Sequence, residues 1–335
     1  MMATYREAGV DIDAGEQVVE LIKPVAAATY RSEVLAGVGP FSGLFALETS
    51  RYRQPVLVAT TDSVGSKVLL AAAHGRHRSL GVDIVNHCVN DVLTSGADPL
   101  FFLDYVGVNR LDPPVVAEIV QGIAQACRAV DCTLLGGETA ELRDLYANGT
   151  YDVAGFMVGV VERDRLIDTT EIREGDVLLG LPSNGLHTNG YSLARRVIPG
   201  QSLAQPIDDD QTVLDALLEP HTCYLEPVRR LRADVHVKGL AHITGGGLPG
   251  NVPRILPAGL GAVIERGRWP EPAIFGYLNP FVPDDEMWRT FNMGVGMVAV
   301  VASEDAARSI DALEGHAYAV GRVVPAQQPR VQIIE

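Results

Sequence analysis

An acid, a glycine and a lysine lie close together in the segment Thr60-Thr61-Asp62-Ser63-Val64-Gly65-Ser66-Lys67. The segment follows an apolar run, Val56-Leu57-Val58-Ala59, that reads as a buried strand. A carboxylate at a strand end can hold Mg²⁺. A glycine lets the backbone approach an anion closely, and a lysine supplies a point charge. The chain has three lysines, Lys23, Lys67 and Lys238, among 27 lysines and arginines. A lysine at this spacing is therefore conspicuous, and the chemistry it suggests is the binding of metal-bound phosphate.

Two further acids sit beside apolar runs. Asp91 follows Asn90 in a helix, and Glu138 stands in Gly136-Gly137-Glu138-Thr139-Ala140-Glu141. Carboxylates from three elements could share one or two Mg²⁺ ions on a triphosphate, since Mg²⁺ takes one or two carboxylates plus phosphate oxygens and water. A helix cap, a surface ion pair and a turn acid explain the same three residues without a metal. No lysine follows a glycine, so the Walker loop is absent. Gly245-Gly246-Gly247-Leu248-Pro249-Gly250 matches G-x-G-x-x-G in form. Pro249 and Pro253 suit only a short or late helix there, which favours a bare anion cradle over a dinucleotide site. Ser183-Asn184-Gly185-Leu186-His187-Thr188-Asn189-Gly190 is a second loop able to receive phosphate or amide groups, or simply to cap its own helix. His74 and His77 have H-x-x-H spacing and His87 follows, but no cysteine pair completes a zinc set, so these read as solvated histidines.

The elements that position these residues alternate. Residues 16–36 read as a helix that Pro24 kinks or splits. A turn-rich loop over Gly37–Gly43 precedes the strand before Asp62. A second helix begins near Gly81 and carries Val82, Ile84, Val85, Cys88, Val89, Val92 and Leu93. Phe101–Val106 reads as a strand. Asp112 caps a helix with Pro113 and Pro114 in its first turn and an apolar stripe from Val116 to Val130. A short strand, Cys132–Leu135, runs into the Gly136-Gly137 segment, and Val153–Val161 is another strand. The charged stretch Glu162-Arg163-Asp164-Arg165, continuing to Gly175, marks a boundary between domains at 1–165 and 172–335. Further strands fall at Asp176–Leu181, Leu240–Ile243 and Val295–Val301, a helix follows from Tyr191 to Ile198, and Pro199–Asp210 reads as a surface loop. The fold class is α/β (α+β) in two domains.

A formal net charge of −15 argues against a general nucleic-acid binder. Cys88, Cys127, Cys132 and Cys223 show no C-x-x-C spacing and read as reduced, buried thiols. Met1-Met2-Ala3-Thr4-Tyr5-Arg6-Glu7 lacks the apolar core of a signal peptide. No run approaches the roughly 18 apolar residues of a spanning helix. A cytoplasmic setting is expected.

Read in order, the motifs resemble one family. Tyr5-Arg6-Glu7-Ala8-Gly9-Val10-Asp11-Ile12-Asp13-Ala14-Gly15, Cys88-Val89-Asn90-Asp91, Phe101-Phe102-Leu103-Asp104-Tyr105 and Gly136–Glu141 are similar to the phosphoribosylformylglycinamidine cyclo-ligases. So are Asn184–Leu193, His242–Gly247 and Phe291-Asn292-Met293-Gly294-Val295-Gly296-Met297 in the second half. The resemblance implies ATP-dependent cyclisation of formylglycinamidine ribonucleotide in purine biosynthesis, with Mg²⁺. It implies homodimers, with an ATP-binding first domain forming a dimeric β-barrel with outer helices and an α/β second domain closing the substrate cleft. It further implies catalytic roles for Asp62, Lys67 and His187, and metal ligation by Asp62, Asp91 and Glu138. ATP contacts would come from Lys23, Gly65, Lys67, Asp91, Gly137, Glu138 and Thr139. Substrate contacts would come from Ser183, Asn184, His187, Asn189, Gly245, Gly246 and Gly247. Ser63, Ser66 and Leu142-Arg143-Asp144 depart from the family's usual residues, and the Pro199–Asp210 linker is short for it. A non-catalytic nucleotide-binding scaffold, or a related ATP-dependent small-molecule kinase, would share the plan.

Overall fold

The structure, a computed structural model, describes residues 4–335; Met1, Met2 and Ala3, where the reading for a signal peptide began, lie outside the described residues. The chain divides into two compact units. The first runs through Val92 and resumes over Ala97–Asp164; the second takes Leu93–Gly96 and Arg165–Glu335.

In the first unit the elements are α1 (Ile12–Ala27), β1 (Val34–Ala36), β2 (Leu44–Phe45), β3 (Pro55–Ser63), α2 (Lys67–Ala73), α3 (Arg78–Leu93), β4 (Asp98–Val108), α4 (Pro113–Ala129), β5 (Thr133–Glu141) and β6 (Tyr151–Glu162). The expectation of a helix over 16–36 is corrected at both ends. The Asp11 side chain accepts from the Ala14 N–H and starts α1 earlier. Pro24 is tolerated only near the end, three residues before the helix stops and the chain turns towards β1. The α4 stripe buries Val116, Ile119, Val120, Ile123 and Cys127. Helices α3 and α4 meet backbone to backbone: a Cβ on Gly81 would stand 2.1 Å from the Ile119 carbonyl oxygen, and one on Gly122 would stand 2.0 Å from that of Arg78.

Four strands form an open sheet in the order β3-β6-β4-β5, with β4 and β5 parallel and the other pairs antiparallel. The short strand read over Cys132–Leu135 extends through Gly136–Glu141 as β5, because pairing with β4 from Leu103 to Val108 overrides the weak strand preference of its glycines. Register places Asp62, Gly155, Asp104 and Gly137 in one row across the sheet. Their neighbours Ser63, Ala154, Tyr105 and Glu138 form the next row, on the opposite face. The first face carries the buried Phe102, Val106, Val153 and Met157. The second leaves Leu57 59% and Phe156 44% exposed, so β3 is not the buried strand its apolar run suggested. Among the described residues this four-stranded sheet does not close into a barrel, and one of its faces is left apolar and uncovered.

The second unit contains β7 (Val177–Pro182), α5 (Tyr191–Val197), α6 (Val213–Leu218), α7 (Leu225–Asp234), β8 (Gly239–His242), α8 (Gly247–Asn251), β9 (Leu260–Glu265), α9 (Ala273–Leu278), α10 (Asp284–Thr290), β10 (Val295–Val301), α11 (Ala306–Ala312), β11 (Tyr318–Pro325) and β12 (Val331–Ile334). They build a six-stranded sheet ordered β12-β9-β11-β7-β10-β8, in which only the β12–β9 pair is parallel. Every residue of β10 is buried, as a central strand covered on both faces requires. The loops after β7 and β8 and the loop before β10 therefore emerge at the same end of this sheet.

Candidate functional site

Helix α3 carries Asp83, His87 and Asp91 at intervals of four, which puts them on one face of the helix. Each meets the segment Thr60–Lys67. The Lys67 ammonium donates to Asp83 Oδ1 at 2.8 Å, with both side chains fully buried. His87 Nε2 lies 2.9 Å from Asp62 Oδ2. The Thr60 hydroxyl donates to Asp91 Oδ2 at 3.0 Å. The strand end, the turn and the start of α2 are thus fastened to one polar stripe. Gly65 takes φ 69 in the turn between β3 and α2, a conformation that favours glycine. Ser63 lies in β3 rather than in that turn, which accounts for its being accommodated.

The electrostatics follow from these contacts. Burial opposes the charged form of Asp62, but the His87 bond and charge and the Ser63 N–H outweigh it and hold the carboxyl below its usual value. Burial also opposes the charged form of His87; the bond to Asp62 and the charges of Asp62, Asp91 and Asp83 win and raise it. His87 was read as solvated, yet it is 3% exposed and joins the acids. The signal for it was the four-residue spacing to Asp83 and Asp91, which the nearby H-x-x-H pair obscured. Lys67, expected as a point charge for phosphate, is fully buried and paired with Asp83.

The three acids are not brought together. Asp62 and Asp91 approach His87 at one side of the sheet. Glu138 lies on β5, three strand spacings away, or roughly 14 Å at about 4.8 Å each, and on the opposite pleat. It belongs instead to a pocket of about 690 Å³ between α1 and β5, which also gathers Lys23, Asp104, Gly137, Thr139 and Glu141. Lys23 bonds Glu20 at 2.9 Å and stays half-exposed. Asp104 is buried against Gly137, where a Cβ would stand 2.3 Å from its Oδ1. Burial, assisted by the Glu138 charge, pushes the Asp104 carboxyl up to about 7. Arg143, one of the departures, holds Glu141 at 2.9 Å, and Glu141 accepts the Asp11 N–H, so the altered loop clamps the start of α1 to β5.

In the second unit the loops after β7 and β8 lie side by side. Asn189 Oδ1 rests against Gly245, and the Asn189 amide nitrogen is buried without a protein partner. Gly246 and Gly247 take φ 96 and 58 and open the five-residue α8. Such a pair of loops offers amide donors to an anionic group. Ser183 does not: its hydroxyl donates to Asn292 Oδ1 at 2.8 Å, while Asn292 donates to the Gly185 carbonyl. Asn184 is exposed and donates to the Pro220 carbonyl at 2.8 Å. His187 is 1% exposed, with its ring stacked inside the loop on His221.

Comparison with known proteins bears on both units. Residues 50–161 match the family described as AIR synthase related protein, N-terminal domain, and residues 173–334 match AIR synthase related protein, C-terminal domain. The chain is 52% identical over 344 aligned positions to the phosphoribosylformylglycinamidine cyclo-ligase of Myxococcus xanthus (strain DK1622), with 100% of each chain covered. In fold it is similar to the crystal structure of thiamine-monophosphate kinase from Stenotrophomonas maltophilia K279a, with a TM-score of 0.70 at 18% identity over 93% of this chain and 95% of that one. It is also similar to that of the hydrogenase maturation protein HypE in complex with ATP, with a TM-score of 0.63 at 18% identity over 93% and 85%.

Proposed function

The chain belongs to the phosphoribosylformylglycinamidine cyclo-ligase family, and from that premise we propose how its residues serve the ring closure of purine biosynthesis. The enzyme is a ligase that converts formylglycinamidine ribonucleotide to aminoimidazole ribonucleotide. ATP is the phosphoryl donor in this reading, supported by the fold shared with HypE, whose structure holds ATP. An amide oxygen is a poor leaving group. Phosphorylation of the formyl oxygen makes it a good one; the neighbouring amidine nitrogen then attacks the formyl carbon, closes the five-membered ring and expels phosphate. The protein's contribution is positioning and charge stabilisation.

The observation that carries the reading is the α3 stripe gripping the Asp62 segment. It leaves the Asp62 and Asp91 carboxylates 43% and 26% exposed, hard oxygen donors of the kind Mg²⁺ accepts. Mg²⁺ bound there would neutralise charge on the phosphates. His87 holds Asp62 ionised, and Lys67 acts through Asp83 to keep α2 and α3 in register. The pocket holding Lys23, Gly137, Glu138 and Thr139 receives another part of ATP, where Glu138 would hold a separate Mg²⁺ ion, apart from the one at Asp62 and Asp91. Gly65 lets the backbone approach phosphate. Asn184, Asn189 and Gly245–Gly247 hold the ribonucleotide, with the unpartnered Asn189 amide aimed at its phosphate.

The uncovered face of the first unit's sheet favours a homodimer. Pairing two such faces would bury Leu57 and Phe156 and complete the barrel that one chain leaves open. Among the described residues no helix is long and apolar enough to cross a membrane, and a cytoplasmic enzyme is the reading that suits a reaction on soluble metabolites. The test is ADP release on addition of formylglycinamidine ribonucleotide, Mg²⁺ and ATP. Asp62→Asn should abolish it while circular dichroism stays native; near-normal turnover would remove Asp62 from the site. ATP binding without turnover in the unaltered chain would favour the scaffold, and turnover with another small molecule the kinase.

A further inference from the structure

Three histidines are buried together where β7 and β8 leave the second sheet. His187, His221 and His242 are all at most 5% exposed. The His221 ring stacks on His187 with centroids 4.0 Å apart and planes 21° from parallel. Its Nδ1 lies 3.4 Å from the Thr188 hydroxyl. Its Nε2 lies 3.0 Å from His242 Nε2, so one of these rings donates and the other accepts. One face and both nitrogens of a single side chain are therefore engaged. His187 and Thr188 belong to the loop that carries Asn189, while His242 leads directly into Gly245–Gly247. His221 itself belongs to neither loop; it comes from the segment before α7.

The loop it grips is held in an uncommon shape. His187 has φ 59, a left-handed conformation that is unfavourable for a non-glycine residue and persists only where the surroundings enforce it. The surroundings do so. A Cβ on Gly296 would stand 2.0 Å from the Tyr224 hydroxyl and 2.5 Å from His187 Cε1, so the bare glycine is what admits both rings. The Tyr224 hydroxyl in turn donates to the Pro182 carbonyl at 2.8 Å, fixing that ring at the end of β7.

We propose that His221 is a positioning residue that sets the spacing of the two ribonucleotide-binding loops. It acts through Thr188 and His242 and keeps the Asn189 amide against Gly245. This rests on the substrate reading of those loops. His221 need not touch substrate, and its loss should be felt in the binding of the ribonucleotide rather than of ATP.

The experiment compares His221→Phe, which keeps the stack on His187 but removes both ring nitrogens, with His221→Gln, which restores a donor and an acceptor, and with Thr188→Val. Steady-state KM is measured separately for formylglycinamidine ribonucleotide and for ATP, alongside thermal melting. His221→Phe should raise the ribonucleotide KM about tenfold, the effect of one well-placed hydrogen bond, and leave the ATP KM unchanged. His221→Gln should recover part of the loss, and Thr188→Val should shift the same KM by a smaller factor. An unchanged ribonucleotide KM in His221→Phe, or equal losses for both substrates, overturns the proposal. Should His221→Phe fail to fold, an unchanged KM in Thr188→Val overturns it. If the unaltered enzyme releases no ADP with the ribonucleotide, the functional reading fails on its own. The coupling of the loops is then read from hydrogen exchange over 183–190 and 243–247, and equal protection in His221→Phe and the unaltered chain overturns the proposal.

Discussion

Asp104→Asn tests how the sheet treats a buried acid. Asp104 lies in β4 against Gly137, and burial lifts its carboxyl from 3.8 to about 7, its own backbone bond opposing and the Glu138 charge adding to the rise. The folded chain therefore binds a proton that the unfolded chain has released across this interval. Stability must fall as pH rises from about 4 to about 7 and level off above, the reverse of a salt-bridged aspartate. At 1.36 kcal/mol for each pH unit, the displacement corresponds to about 4 kcal/mol. Asparagine has nearly the same shape and does not titrate, so the variant lacks this slope. Native-state hydrogen exchange of the β4 amides, corrected for intrinsic rates and measured in chelator across pH 4–8, gives the comparison. The stability difference between variant and unaltered chain should grow by up to about 4 kcal/mol between pH 4 and 7 and then stay flat. Parallel profiles over the whole range would refute the reasoning.

Lys67→Met leaves Asp83 buried without this cation and should cost about 3–5 kcal/mol in urea unfolding, much of it recovered by adding Asp83→Leu; no recovery would mean the pair is not the cause. The His87–Asp62 pair has the opposite kind of origin: its histidine is raised from 6.5, so its stabilisation is complete below about pH 6.5 and is lost as pH rises through the raised value. His87→Gln should lack that alkaline loss in thermal melts, and an unchanged melt profile would count against the pairing. On the homodimer proposed above, Leu57→Asp, which puts a charge on the uncovered sheet face, should sediment as a monomer with native circular dichroism where the unaltered chain sediments as a dimer; the same sedimentation for both would remove this face as the interface.

What the sequence revealed, and what it hid, has physical reasons. Helix α4 was legible because its stripe repeats with helical period over four turns. The glycine-rich half of β5 was not, since only its pairing with β4 makes it a strand. The acids near apolar runs stood out in the sequence, but that Asp62 and Glu138 lie apart follows from the strand order, which local spacing does not carry. His187 and Ser183 drew attention as polar residues in a loop; their contacts with His221 and Asn292, which come from distant segments, could not be read from local sequence. His87 and Asp83 were hidden because their partners lie in a different element, although the four-residue rhythm along α3 was there to be read.

The open face of the first unit's sheet has a consequence for how the protein is made. A newly synthesised copy carries Leu57 and Phe156 exposed, apolar groups that can meet other apolar surfaces. On the homodimer proposed above, the yield of usable protein becomes a race between pairing and clumping. Slow synthesis would then keep the pool of unpaired copies small and abrupt overproduction would fill it, so gentle expression should favour the soluble product even though the sequence and the final fold are the same.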